Sequence, residues 1–301
     1  MLVAAQATTS ALAAHSTERV QRRPIEGPGE LLALAGGRLL VWDERGGARL
    51  RSSDGTWRDR AQLPFEHVWQ VVPDGEGFLA SGSGRGDVLL VLLFGAHGDE
   101  VRRWRPSEVG WGLVVQGTRR WYVEPAGLVE LLPDGRLGPI EPVPDSPAAR
   151  RGRQPDVFQY DGRRLVCYSA DLSMEHNAPA SCREAHNTGW ILGRAQAGEL
   201  FSCGRWVIAR VGRDQKSLAV WTFDGAAAGR RSYPASPVFA CSESDTLVIG
   251  AGGVVQLAKL PALTPQWTHR VGRGSVVQVA APKGAVAYGT DKSSDVVVVA
   301  R

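Results

Sequence analysis

Residues Pro73 to Pro106 read PDGEGFLASGSGRGDVLLVLLFGAHGDEVRRWRP. A Pro-Asp-Gly turn leads into an apolar run, then a Gly-rich turn, a longer apolar run and a polar tail with the look of a strand. Asp-Gly and Gly-rich turns between apolar runs of this length are hairpin chemistry, because glycine supplies the positive φ that tight hairpins need.

The same rhythm recurs along most of the chain. The segments LLALAGGRLLVW, VWQVVPDGEGFLA, LVVQGTRRWYV, VFQYDGRRLVCY, LFSCGRWVIAR, VFACSESDTLVIG and VVQVAAPKGAVAYG each run an apolar strand into a turn. Those turns fall at Gly37, Gly75, Gly117, Gly162, Gly204, Ser244 and Gly284, at intervals of 38 to 45 residues. Each unit continues with an alternating strand such as RWVIAR, a third such as SLAVWTF and a shorter polar strand such as GRRSYPA. No segment holds a helical period over three turns, so the chain reads as all-β. A four-stranded unit repeated seven times predicts a β-propeller, since radial repetition leaves only short, protected sheet edges. A sandwich would not keep so even a period, and a solenoid would need shorter coils.

The last unit runs out after three strands, and the segment TERVQRRPIEG, Thr17 to Gly27, belongs to no repeat. It is expected to supply the missing outer strand, where Pro24 costs no ladder hydrogen bond. The expectation is therefore a single seven-bladed β-propeller over residues 17–301, closed by an N-terminal strand. Residues 1–16 read as a disordered tail or the remnant of a signal peptide.

The repeats also carry a resemblance. TPQWTHRVG followed by SVVQVAAPKGAVAYGTDKSSDVVVVA resembles the repeat of quinoprotein-like propellers, and SSDGTWRD, Ser52 to Asp59, resembles an Asp-box turn. The resemblance implies the propeller fold. It does not extend to a cofactor: the acidic and amide calcium site of the pyrroloquinoline enzymes is not traceable here, so none is expected.

At 43% hydrophobic and 22% charged residues the composition is that of a folded globular chain. The longest apolar run, Val88 to Phe94, falls far short of the roughly 18 residues of a membrane span. The net charge of +4 is almost all arginine, with lysine only at Lys216, Lys259, Lys283 and Lys292. With no long basic run and no nucleic-acid module, nucleic acid is not an expected partner. MLVAAQATTSALAAHS ends in an Ala-Leu-Ala pattern like a signal-peptidase site but lacks a basic leader. Together with four cysteines it favours a periplasmic or extracellular protein, the cytoplasm being the alternative.

Two segments stand out as candidate sites. Between Cys167 and Trp190 the chain takes about eighteen residues to cross a place that other repeats cross in four to seven, and long loops inside compact domains usually carry function. Met174, Glu175, His176, His186 and Trp190 are its candidate binding residues, with Glu184 nearby. His176 and His186 lie ten apart, which matches no metal-ligand spacing, so no metal is expected. A Cys167–Cys182 disulfide is expected to hold the loop at its base. Cys203 and Cys241 occupy matching positions in LFSCG and VFACS and are expected to stay unbridged. The second segment, PVPDSPAARRGRQPD, offers Arg150, Arg151 and Arg153 to an acidic partner. Arg85-Gly86-Asp87 spells an integrin-type tripeptide and reads as hairpin chemistry.

No Gly-x-Ser-x-Gly elbow, phosphate-binding loop or His-Glu-x-x-His motif is present. The tryptophans at strand positions, Trp69, Trp104, Trp121, Trp206, Trp221 and Trp267, are expected to pack between blades. These features favour a non-catalytic binding or scaffolding module for protein partners. A lectin or carbohydrate-active enzyme using the channel mouth is the alternative: carboxylates beside exposed aromatics there would favour it, and an apolar or basic rim would favour a protein.

Overall fold

In a computed structural model, the described residues are 22–25, 30–43, 45–52, 54, 56–57, 61–110, 112–142, 156–160, 163–168, 180–184, 190–191, 197–243, 245–272, 274–282, 285–290 and 294–298. They form antiparallel sheets and one short 3-10 turn at Ala35–Gly37. The chain begins with β1 (Arg22–Ile25). The first blade is β2 (Glu30–Leu34), β3 (Arg38–Trp42), β4 (Gly47–Arg51) and β5 (Ala61–Gln62). The second is β6 (His67–Asp74), β7 (Gly77–Gly84), β8 (Val88–Phe94) and β9 (Glu100–Trp104), the stretch quoted above. The third is β10 (Gly112–Gln116), β11 (Arg119–Glu124), β12 (Gly127–Leu131) and β13 (Leu137–Glu141). The fourth is β14 (Asp156–Tyr160), β15 (Arg163–Tyr168), β16 (Ser181–Glu184) and β17 (Trp190–Ile191). The fifth is β18 (Ala197–Cys203), β19 (Trp206–Val211), β20 (Ser217–Thr222) and β21 (Ala227–Ser232). The sixth is β22 (Val238–Glu243), β23 (Thr246–Ala251), β24 (Val254–Lys259) and β25 (Thr264–Arg270). Last come β26 (Val276–Ala280), β27 (Ala285–Thr290) and β28 (Ser294–Val298).

The expectation of a seven-bladed propeller is corrected here: the structure shows a propeller of six blades, each complete within one continuous stretch of chain. The remaining four-stranded sheet is composite, in the order β1-β28-β27-β26, and draws on both ends of the described chain. Its outer pair, β1 and β28, runs antiparallel with Arg22 opposite Val297 and Ile25 opposite Ser294. The repeat count overstated the blades because only the turn between the first two strands was counted, and three strands of a last unit suffice to show it.

All seven turns picked from sequence fall between the first and second strands of their sheets. Gly75, Gly117 and Gly204 hold φ of 54°, 56° and 55°, left-handed values that explain why glycine recurs there. The first strand of each of the six blades is innermost, as is β26 in the composite sheet, and these strands touch around the ring, from β2 through β6, β10, β14, β18 and β22 to β26 and back to β2. Because strands alternate in direction, first strands begin on one face of the ring, called upper here. Blade-to-blade connections and the turns between second and third strands lie on that same face.

The core is divided among the junctions between sheets. One cluster joins Trp42 and Leu50 of the first blade to Phe78 and Leu92 of the second. Another joins Leu165 and Cys167 of the fourth to Val207 and Trp221 of the fifth. This explains one departure from expectation. RWVIAR is not a half-buried alternating strand, since Trp206 to Ala209 are all buried. A middle strand of a blade is covered on both faces by neighbouring sheets, so it reads as a continuous apolar run.

Trp104, Trp121, Trp206 and Trp221 are buried in these junctions, and Trp267 packs partly against one. Trp69 does not follow them. It is 40% exposed because it is the extra residue of a β-bulge between the Val68–Gly82 and Gln70–Ser81 pairs. Both cysteine pairs are disulfides. Cys203 and Cys241, expected unbridged, link β18 to β22 because the two innermost strands approach to 5.4 Å between their Cα atoms there. That lies within bridging range.

Candidate binding site

At the upper ends of four consecutive innermost strands, β18, β22, β26 and β2, the ring wall holds a cavity of ≈ 490 Å³. Its apolar lining comes from Leu31, Phe201, Val238, Phe239, Val277 and Val279, with Pro237 from the connection that enters β22. Phe201 and Phe239 meet edge to face, with ring centroids 4.7 Å apart. They face one another across the junction of the fifth and sixth blades. Two residues further along each strand, and so on the same strand faces, the Cys203–Cys241 bridge makes the next rung. The alignment of LFSC with VFAC is thus a two-rung ladder, one rung aromatic and one covalent.

A bulge shapes the opposite side of the cavity. In β26 the pairing slips between Val276 and Gln278, leaving Val277 as the extra residue, 50% exposed. Gln278 then turns its side chain to the next blade, where its Oε1 accepts a hydrogen bond from the Leu31 N–H at 3.2 Å. Gly289 makes room for it, since a Cβ there would stand 2.6 Å from the Gln278 side chain. The second blade repeats the device: Trp69 is the bulged residue and Gln70 accepts from the Leu113 N–H at 2.6 Å. Val-x-Gln therefore ties neighbouring innermost strands and leaves residue x uncovered at the channel mouth.

Three polar residues line the cavity: Glu30, Arg210 and Gln278. No described residue forms a hydrogen bond or ion pair with the Glu30 carboxylate. It is an exposed side chain, yet the surrounding protein strips enough water from it to raise its carboxyl above the ordinary value. Desolvation alone does this. Arg210, on the same lining, does not offset it.

A second carboxylate group lies at the upper end of the third blade. Glu124 closes β11 at 3% exposure, and its carboxylate accepts a hydrogen bond from the Glu108 N–H. Burial first, and the Glu108 charge second, raise its carboxyl above the ordinary value. Beside it, the Tyr122 hydroxyl accepts the Gly110 N–H. Buried so deeply, Glu124 ties down the connection at 105–110 through that hydrogen bond.

Of the residues singled out from sequence, Met174, Glu175, His176, His186, Arg150, Arg151 and Arg153 lie outside the described residues. Trp190 is placed in β17 by its backbone only. Cys167 and Cys182 sit directly opposite one another on β15 and β16, both fully buried against the fifth blade. The strands that bound the intervening segment end and begin on the upper face, the face that holds the cavity. Sequence reading missed the cavity. Its residues run from Glu30 to Val279 and come together only when the ring closes; the matched Phe201 and Phe239 are the one part of it visible as a pattern in the sequence. Among the described residues no three His, Cys, Asp or Glu side chains come together to hold a metal ion, and no helix is long and apolar enough to cross a membrane.

No family model matches the chain, and no curated protein matches its sequence. Solved structures share its fold. The β-propeller domain of Cps50 (Swd1) from Myceliophteria thermophila superposes with a TM-score of 0.67 at 8% identity, over 93% of this chain and 99% of that one. Virginiamycin B lyase from Staphylococcus aureus gives 0.64 at 9% identity, covering 94% and 99%. BBS1N, solved in complex with ARL6DN, gives 0.64 at 13% identity, covering 93% and 96%. At such identities these likenesses show the propeller fold, and they add nothing to the resemblance to quinoprotein-like or Asp-box repeats.

Proposed function

We propose that this propeller is a non-catalytic module that binds a protein partner through its upper face, with the cavity as the anchoring point. The observation that carries the reading is the distribution of uncovered apolar side chains. Of the six large hydrophobics that stand exposed among the described residues, Trp69, Val88, Val109, Ile140 and Val277 lie at the upper ends of their strands or in upper connections, and only Val101 does not. Apolar side chains left uncovered on one face of the ring, the face that also holds a mostly apolar cavity, mark that face as an interaction site.

Charge narrows the partner. The upper turns at 43–46, 85–87 and 212–216 and the connection at 105–110 each carry both signs, as in Arg85 with Asp87 or Arg105 with Glu108. Among the described residues the charges of this face are interspersed, which suits a protein interface with an apolar centre and a polar rim better than a polyanion or an anionic membrane. The cavity has one carboxylate where glycoside cleavage needs a pair. The neighbour solved in complex with ARL6DN supports partner binding by this fold only as analogy. Two disulfides support work in an oxidising compartment.

The test is affinity purification from the native organism with the wild type and with Val277→Arg and Trp69→Ala. Both sites are exposed, so both variants fold. A stoichiometric protein that co-purifies with the wild type and is lost from either variant is the expected result. Recovery of the same proteins with all three chains, or of none, overturns the reading.

A further inference from the structure

We infer that the cavity binds a short free peptide of apolar residues, an elongated zwitterion whose ammonium end meets Glu30 and whose carboxylate end meets Arg210. The inference goes beyond the protein-binding reading and does not depend on it; a peptide in the cavity and a partner anchored there would compete.

The two charged groups of the lining come from opposite ends of the row of strands that forms it. Glu30 opens β2 of the first blade, and Arg210 lies near the end of β19, the strand behind β18 in the fifth. They do not pair with one another. Burial alone moves the Glu30 carboxyl, and moves it upward, where a guanidinium close by would pull it down. Along the row between them stand Leu31, Val277, Val279, Val238, Phe239 and Phe201, an apolar wall. Its aromatic end is preformed, because the Cys203–Cys241 bridge holds the Phe201–Phe239 pair from two residues away.

The occupant that matches this wall has an apolar body and carries both signs of charge, held apart. A cation alone would leave the arginine end unanswered, and an anion alone the glutamate end. In a single α-amino acid both charges sit on one carbon. A peptide separates them by about 3.5 Å per residue and lays its side chains on the wall between. The cavity, at ≈ 490 Å³, falls within the roughly 300–1,000 Å³ of small-ligand sites. Arg210 has an interaction of its own, but a guanidinium offers five N–H donors, and Arg119 in this chain serves both Glu130 and Glu141.

The experiment is isothermal titration calorimetry on the full chain. The probes are trileucine, N-acetyl-trileucine, which lacks the ammonium, and trileucine amide, which lacks the carboxylate, with leucine and 8-aminooctanoic acid beside them. Trileucine is expected to bind roughly tenfold more tightly than either capped form, the worth of one charged hydrogen bond. Glu30→Gln is expected to erase the advantage over N-acetyl-trileucine, and Arg210→Gln the advantage over the amide. Glu30 is exposed, so its variant and the capped probes decide the matter even where Arg210→Gln does not fold. Equal binding of free and capped forms, no binding of any, or an unchanged preference in Glu30→Gln overturns the inference. So does leucine or 8-aminooctanoic acid binding as tightly as trileucine, the first by removing the need for separated charges and the second by removing the need for a peptide. Co-purification of a protein partner is read separately, so either result can fail while the other stands.

Discussion

The buried charges carry the sharpest consequences of single side chains. Asp74 ends β6 with its side chain 2% exposed, and Arg120 of β11 reaches it from the next blade with both Nε and Nη2. Arg120→Leu leaves a buried carboxylate without its partner and is expected to cost about 3–5 kcal/mol of stability. Replacing both residues by apolar ones should recover most of that loss, since a paired buried charge contributes little over a packed apolar pair. Urea unfolding of the single and double variants checks it, and equal losses in the two would argue against the ion pair. Glu124 works in the opposite sense. Its carboxyl holds a proton more tightly folded than unfolded, above the ordinary value of 4.5, because of burial and then Glu108. At low pH both states are protonated and nothing is lost. As pH rises past the ordinary value the unfolded chain releases its proton first, so this group lowers stability from there upward. Glu124→Gln, whose amide oxygen accepts the same Glu108 N–H, is expected to raise the melting temperature by a few degrees at neutral pH and not at pH 4. A melting curve series against pH decides it, and a gain of the same size at both pH values would remove proton linkage as the cause.

Elements show where the sequence was legible. Turn chemistry is local: a glycine at φ near 55° is required wherever two strands reverse in two residues, so the repeat announces itself and six blades can be read from it. What joins the elements is not local. The bulges at Trp69 and Val277 insert one residue into a strand with no change of composition, and the first of them turns an aromatic expected between blades out to solvent. Likewise the matched Phe-x-Cys of β18 and β22 is visible in sequence. That the two strands come within bridging distance depends on how tightly the ring closes. The two disulfides differ accordingly. Cys167–Cys182 spans 15 residues within one blade, and Cys203–Cys241 spans 38 and crosses between two. Loop-closure entropy puts their removal at about 3 and about 4 kcal/mol respectively. Paired Cys→Ala variants unfolded in urea should show that order. The inter-blade pair should also loosen the Phe201–Phe239 rung beside it, and so weaken binding at the cavity. A loss under about 1 kcal/mol for Cys203→Ala/Cys241→Ala would mean that packing, not the bridge, holds the junction.

At the scale of the whole molecule, the ring depends on four residues from the other end of the chain. Strand β28 reads Ser-Asp-Val-Val-Val, and β1 covers its outer edge with Arg22, Arg23, Pro24 and Ile25. Pro24 lies on the outermost strand of its sheet, the position at which a residue without an N–H is tolerated. Removing β1 would uncover a valine-rich edge with unpaired N–H and C=O groups, the feature that natural sheets avoid. The loss is not confined to that edge. Strand β26 of the same sheet lies against β22 on one side and β2 on the other, and Val277 and Gln278 form one wall of the cavity. A chain beginning at residue 28 is therefore expected to melt at lower temperature, to self-associate at micromolar concentration, and to lose the partner. Scanning calorimetry and light scattering report the first two. Adding a synthetic peptide of residues 17–27 should restore stability in a concentration-dependent way, because the cost of the missing strand then becomes one of association. A truncated chain that stays monomeric and melts with the full one would show that the six continuous blades, with the three-stranded remainder, hold the ring without it.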